Sequence, residues 1–288
     1  MITNKTKQII KRALAEDKVS QDKTTHLVIA AKEKGKAVII AKEKGILCGI
    51  EVVRFIFKEI DKKIKVRFFA KDGDRVTKDK KIATLSGNLQ TILKAERVAL
   101  NFLSLLSGVA TTTALFVDKV KKTKVTIKDT RKTTPGLREL EKYAVLTGGG
   151  KNHRYNLAEG IIVKDNHLKA AAIVNKKNRV NHMRLEATLK NLRRKTKFPI
   201  EVEVETFQEF CEVAKYYPDI IMLDNFSKSN LVKAVSYRNK HFPKIELEAS
   251  GGISLKNIKR VASTGVDSIS VGSITHSPKA LDFSLELK

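Results

Sequence analysis

The chain has 288 residues, 42% of them hydrophobic and 6% aromatic, with no Trp and a formal net charge of +26. This length fits one large or two modest domains, and the apolar content excludes a disordered chain. Cys48 and Cys211 lie far apart and form no CxxC pair, which excludes a disulfide framework and fits two thiols in a reducing compartment.

Met1 to Asp17 alternates Lys and Arg with short apolar pairs, unlike a signal peptide or a membrane anchor. No later stretch reads as apolar and long enough to cross a bilayer, so no membrane partner is expected and the cytoplasm is the expected compartment. Three explanations of the charge compete: a nucleic-acid-binding face, an anion cleft, or a lysine-rich solvated surface. Lysines such as Lys62, Lys63, Lys121, Lys122, Lys176 and Lys177 fall at expected element ends and loops. No aromatic residues interleave with them as a base-stacking platform requires, so a surface bias combined with an anion cleft is favoured and no specific nucleic acid is expected.

Thr6 to Glu16 carries helical periodicity. Ala37 to Ala41 and Ile46 to Cys48 are short β-type runs around Lys44-Gly45, Ile50 to Ile60 reads as a helix, and Ile64 to Ala70 as a strand. Asp72-Gly73-Asp74 marks a turn before a strand at Lys81 to Leu85. From Leu89 to about Lys121 the pattern is helical, with a break or kink expected at Ser107-Gly108 and the domain change nearby.

Beyond Lys124, short apolar strands alternate with amphipathic helices. The strands are Val125 to Lys128, Gly160 to Lys164, Ile200 to Val204, Ile220 to Leu223, Ile245 to Glu248 and Ser268 to Val271. Helices are expected near Leu137 to Leu146, Arg184 to Lys195, Phe207 to Tyr216, Lys228 to Lys240 and Leu255 to Ser263. This rhythm implies parallel strands covered by helices, and an open doubly wound sheet and a closed barrel both satisfy it.

Polar groups follow each strand: Asp129-Thr130-Arg131-Lys132, Lys164-Asp165-Asn166-His167, Asp224-Asn225, Glu248-Ala249-Ser250-Gly251-Gly252 and Gly272-Ser273, while Glu201, Glu203 and Glu205 alternate along one strand and so point to one face. In a barrel the C-terminal strand ends build the active site. The glycines let backbone amides approach a phosphate, and a helix beginning near Ile253 would add its N-terminal partial charge. Arg131, Lys132, Arg138, Lys151, His153, Arg154 and Lys164 supply cations for carboxylates or phosphates, although any single one fits a solvated loop equally well. His153 reads as a hydrogen-bonding or substrate-contacting residue and His167 as structural. Gly148-Gly149-Gly150 reads as a hinge or a linker. Glu203 and Asp224 could hold ribose hydroxyls, stabilise a cationic sugar, hold Mg²⁺ directly or through water, or form salt bridges.

Thr130 to Arg138 with Glu141 to Val145, Gly148-Gly149-Gly150 with Asn152-His153-Arg154, Lys164 to His167, Glu96 to Asn101, Ser107 to Thr111, Leu223-Asp224-Asn225, Glu248 to Ile253 and Gly265 to Gly272 together resemble the quinolinate phosphoribosyltransferase family. The likeness runs from Glu16-Asp17 to Leu285. It implies an N-terminal α/β sandwich domain (1–115) followed by an incomplete, about six-stranded α/β barrel (116–273), with 274–288 packing back on the first domain.

It also implies a pentosyltransferase that joins quinolinate to phosphoribosyl pyrophosphate in NAD biosynthesis, with Mg²⁺ carried by the donor and no direct protein ligand. The implied assembly is a homodimer, in some members a hexamer, with Arg97 contributed across the interface. Arg131, Lys132, His153, Arg154 and Lys164, with the adjoining Thr130, match the cationic pocket. Glu203 and Asp224 match acids near the ribose, and Ser250, Gly251, Gly252 and Gly272, with Ser273 beside it, match the 5′-phosphate loops. Lys132, Lys164, Glu203 and Asp224 are the expected catalytic set. Glu159, Ala158 and Asp79 depart from the family pattern, which commonly has Asp, an aromatic and Gly there. The alternatives are a related phosphoribosyltransferase-like enzyme with a different acceptor, and a basic nucleic-acid-binding protein.

Overall fold

A computed structural model describes residues 2–174 and 180–288; Lys176 and Lys177 lie outside them. The chain divides into two compact units. One comprises 1–114, 132–150 and 274–288, and the other 115–131 and 151–273. The segment 132–150, expected within the barrel, belongs instead to the first unit.

In chain order the first unit opens with α1 (Asn4–Glu16) and α2 (Lys23–Val28). The Thr3 hydroxyl and the Asp22 carboxylate cap these helices by accepting from the amides of Thr6 and Thr25. There follow β1 (Lys34–Ala41), β2 (Gly45–Ile46), α3 (Ile50–Ile60), β3 (Lys65–Phe68), β4 (Arg75–Val76) and β5 (Lys81–Asn88). The start of α3 has no cap of its own. Asp72 supplies one from the later turn, accepting from the amides of Gly49 and Ile50 at 2.9 and 3.1 Å. Asp79 takes a left-handed φ of 64°, a conformation Asp tolerates better than most side chains.

The next helix, α4 (Leu89–Val120), is capped by Asn88. By length and hydropathy α4 could cross a membrane, which corrects the sequence reading, but its apolar residues from Ile92 to Ala110 are largely core. It also runs unbroken through Ser107-Gly108. A Cβ on Gly108 would lie 2.4 Å from the Lys279 carbonyl oxygen, so this glycine serves a close backbone approach, not a kink.

The remaining elements are β6 (Thr126–Lys128), α5 (Arg138–Thr147), β7 (Ile161–Val163), α6 (Asp165–Ala170), α7 (His182–Lys195), β8 (Ile200–Val204), α8 (Phe207–Ala214), β9 (Ile220–Asp224), α9 (Lys228–His241), β10 (Glu246–Ser250), α10 (Ile258–Ala262), β11 (Ser268–Ser270), α11 (Ser273–His276) and β12 (Phe283–Leu287). The first unit's main sheet has the order β12-β1-β5-β3, all antiparallel. β12 pairs with β1 from Ala37↔Leu287 to Ala41↔Phe283, so the C-terminal segment completes that sheet. Two of the three glycines before Lys151 serve close packing contacts. A Cβ on Gly148 would lie 2.4 Å from the Ala110 carbonyl oxygen, and one on Gly150 2.8 Å from the Thr113 methyl.

The second unit is a six-stranded parallel sheet, β6-β11-β10-β9-β8-β7, with helices α6 to α10 between successive strands from β7 to β11. The edge strands β6 and β7 do not pair with each other, which makes the barrel incomplete. β8 is buried along its whole length, as a strand covered on both faces must be. Asn181, the Thr206/Glu209 pair and Ser227 cap α7, α8 and α9.

Candidate active site

Because all six strands run parallel, their C-terminal ends share one rim. Lys164 follows β7 and caps α6 with its backbone, while His167 Nδ1 accepts the Lys164 amide at 2.9 Å, a structural role for that histidine. The Lys164 ammonium pairs with Glu203, which is 8% exposed on the neighbouring strand β8. Glu201, two residues earlier, is 3% exposed and faces the same way. Glu205 lies beyond the strand and is exposed, so only two of the three glutamates share the buried face.

On β9, Asp224 pairs in register with Ser250 of β10, and its Oδ2 accepts the Asn225 side-chain amide at 2.8 Å. Gly251 (φ 86°) and Gly252 (φ 60°) require left-handed backbone. A Cβ on Gly251 would lie 2.1 Å from Asn225 Oδ1, whereas one on Gly252 would meet nothing within 4 Å, so that side of the turn is open.

The expected helix after this turn starts late. Asn257 bonds both the Ser254 amide and the Gly252 carbonyl, closing 252–257 as a turn, and α10 spans only Ile258–Ala262. The loop's own amides, not a helix end, are what this turn offers a phosphate. Gly272 and Ser273 follow β11 on the neighbouring strand and are half-buried.

Past β6, Asp129 is fully buried and Thr130 and Arg131 half-buried. Lys151 extends the β6 edge, its amide donating to Ile127 O and its carbonyl accepting from Asp129 N. This delivers His153 and Arg154 to the same end of the sheet. Arg154 is half-buried, and its Nε has no hydrogen-bond partner among the described residues. Burial lowers its pKa, and the nearby Arg131 guanidinium lowers it further against the pull of Glu201. Two neighbouring guanidiniums with an unsatisfied buried N–H form a receptor for an anion with paired oxygens.

His153 is turned inward. Its Nε2 lies 3.2 Å from Glu201 and 3.3 Å from Glu248, its amide donates to Asp129 Oδ1, and its Nδ1 accepts the Arg154 amide at 2.8 Å. Burial alone would lower the ring's pKa, but the two carboxylates raise it to about 9. The carboxylates favour the charged ring and the Arg154 amide on Nδ1 opposes it, but in either form Nε2 carries the proton that faces Glu201 and Glu248. The ligand atoms of His153, Glu201 and Glu248 lie within 4.8 Å of one another. They do not suit a metal, because Nε2 carries a proton and Lys128 already neutralises Glu248 at 2.7 Å.

The structure thus gathers Thr130, Arg131, His153, Arg154, Lys164, Glu203, Asp224, Ser250, Gly251, Gly252, Gly272 and Ser273 within the second unit. Lys132 and Arg97 belong to the first unit, and both are exposed. Lys132 O accepts from Thr275, and Arg138 Nε donates to Thr133 within its own loop. The sequence reading placed Glu248 only within the polar run at the end of its strand and gave neither it nor Lys128 a role in the site. Their signal is a charge inside strands that parallel pairing buries on both faces.

Such a parallel barrel, with cations, two acids and glycine turns on one rim, defines an enzyme of the class that handles polyanionic substrates. Residues 22–107 match the N-terminal domain, and residues 109–286 the C-terminal domain, of the family described as quinolinate phosphoribosyl transferase. A quinolinate phosphoribosyltransferase [decarboxylating] from Nicotiana tabacum is 39% identical over 98% of this chain and 82% of its own. The nicotinate-nucleotide pyrophosphorylase [carboxylating] of Mycobacterium leprae is 37% identical over 96% of this chain and 95% of its own. The solved nicotinate-nucleotide pyrophosphorylase of Francisella tularensis superposes with a TM-score of 0.87 at 37% identity, covering 98% of this chain and 95% of that one. The chain belongs to the quinolinate phosphoribosyltransferase family.

Proposed function

We propose that this chain transfers the phosphoribosyl group of phosphoribosyl pyrophosphate to quinolinate, releasing pyrophosphate and carbon dioxide and forming nicotinate mononucleotide in NAD biosynthesis. The observation that carries this reading is the Arg131–Arg154 pair, whose unsatisfied buried N–H suits the adjacent carboxylates of a pyridine dicarboxylate.

In this reading the bond from C1 of the ribose to pyrophosphate breaks and its electron pair leaves with the pyrophosphate. The pyridine nitrogen donates its lone pair to C1. The pyridinium then draws the electrons of the neighbouring C–CO₂⁻ bond, carbon dioxide departs, and the ring carbon takes a proton from water. Glu203 and Asp224 stabilise positive charge on the ribose or hold its hydroxyls. Lys164, held by Glu203, and Lys132 serve the anionic groups, Thr130 joins Arg131 and Arg154 at the acceptor pocket, His153 lies turned inward behind it, and Ser250, Gly251, Gly252, Gly272 and Ser273 hold the 5′-phosphate. Placing a dianion beside a highly charged donor is the chief task of the cations.

Mg²⁺ fits as part of the donor and not as a resident ion. Glu203 is engaged by Lys164 and one Asp224 oxygen by Asn225, so contact through water suits these acids better than direct ligation. When bound, the ion neutralises the departing pyrophosphate. Arg97, exposed on α4, is proposed to act in a partner's site within a homodimer. Cys48 and Cys211 are both free, which fits a reducing compartment such as the cytoplasm.

The test is nicotinate mononucleotide formation from quinolinate and the donor, with and without Mg²⁺, run in parallel with nicotinate as acceptor. Quinolinate-dependent product with matching carbon dioxide release is expected. Turnover of nicotinate alone would overturn the assignment.

A further inference from the structure

Glu248 stands in the middle of β10 with no exposed surface. Its Oε2 accepts from the Lys128 ammonium at 2.7 Å and from the Ser268 hydroxyl at 3.1 Å, which leaves Oε1 to face His153 Nε2. Glu201 reaches the same Nε2 from β8. Charged groups inside a parallel barrel are costly unless paired, and their best-attested use is to fix one geometry.

The geometry dictates which side of the His153 ring is available. A substrate carboxylate approaching Nε2 would meet two buried carboxylates, so this nitrogen is closed to a dianion. The opposite nitrogen, Nδ1, accepts the Arg154 amide, and Asp129 grips the amide of His153 itself. Two successive amides are therefore fixed from inside the barrel, and they set where the Arg154 side chain begins. Glu201 also pulls on Arg154, partly opposing the repulsion from Arg131.

We propose that Glu248, with Lys128 and Glu201, is a positioning residue. It holds the His153 ring inward so that His153 does not touch quinolinate and instead fixes the Arg154 main chain, and through it the guanidinium that binds the acceptor. This rests on the reading of Arg154 as a ligand of the quinolinate carboxylates.

The test uses full-length protein labelled with ¹⁵N-histidine, with the His153 signals identified by their loss in His153→Gln. Wild type is expected to show Nε2 protonated and Nδ1 as an acceptor, with Nε2 unmoved when quinolinate is added to saturation. In kinetics, Glu248→Gln should raise the KM for quinolinate about tenfold, one hydrogen bond to a charged group, with a smaller change in kcat and in the donor KM. Adding Glu248→Gln to His153→Gln should cost less than about twofold more, because both act through one chain of contacts. A quinolinate-dependent shift of Nε2, additive penalties, or an unchanged quinolinate KM in folded Glu248→Gln would each overturn the proposal. Should Glu248→Gln not fold, the wild-type spectrum and Glu201→Gln, expected to show the same KM-selective defect, decide. Arg154→Ala separates the two levels. If it leaves the quinolinate KM unchanged, the reading of Arg154 fails. If it raises that KM while Glu248→Gln does not, only the positioning role fails.

Discussion

Gly251 and Asn225 are locked together across adjacent strand ends: the Asn225 amide donates to Ser250 O at 2.9 Å, and a methyl group on Gly251 would lie 2.1 Å from the Asn225 side-chain oxygen. Asn225 itself holds a left-handed φ of 56°. Neither residue can yield without moving the turn that presents the Gly251 and Gly252 amides. Gly251→Ala should therefore displace the loop and lower kcat/KM for the donor about 10²-fold, the effect of roughly an ångström of misplacement. Donor KM and thermal denaturation measured on the same preparation check this. Wild-type donor kinetics would remove the turn from the phosphate site.

Arg154→Ala and Lys132→Ala should each lower kcat/KM by about 10²–10³-fold, the usual penalty for deleting one charge-assisted contact to reacting groups. Both side chains are at least partly exposed and lie outside the buried core, so circular dichroism should report folded protein. Near-normal turnover in either variant contradicts its assigned role.

Much of this rim was legible in the sequence because parallel strands buried on both faces read as apolar runs, and each run here ends in a polar cluster. Ile50–Ile60 and Ile200–Val204 fall where periodicity places them. Short elements such as α2 and α6 did not show, because six residues give less than two turns of period. Glycines misled in a consistent way. Gly108, Gly148 and Gly150 read as breaks or hinges, yet each allows one backbone or side chain to press against another, a long-range contact that local pattern does not encode. The pairing of Lys128 with Glu248 and of Glu201 with His153 was hidden for the same reason, since the partners come from separate stretches of chain.

Arg97→Ala and Lys164→Ala chains should each be inactive as homodimers. If Arg97 completes a partner's site, mixing the two under conditions of subunit exchange restores wild-type composition to one site in each hybrid. Activity should recover toward about one quarter of wild type, the statistical yield when half the dimers are hybrids with one intact site each. No recovery, with exchange verified by labelled subunits, would rule out a shared site.

The interior cluster also predicts an acid limb of stability. Burial pushes the Glu248 carboxyl upward, but the His153 N–H and the Lys128 ammonium outweigh it and hold the pKa at about 2, below the ordinary 4.5. A carboxyl depressed on folding contributes stability that is complete above its unfolded pKa and is lost as pH falls toward the folded one. Wild type and Glu248→Gln should therefore differ most in Tm near pH 6, and the gap should close steadily between about pH 4.5 and pH 2 as the native carboxyl takes up its proton. Melting curves across that range measure it directly. A gap that stays constant with pH would mean that the substitution acts through packing alone, and that the charge on Glu248 does not hold the barrel interior together.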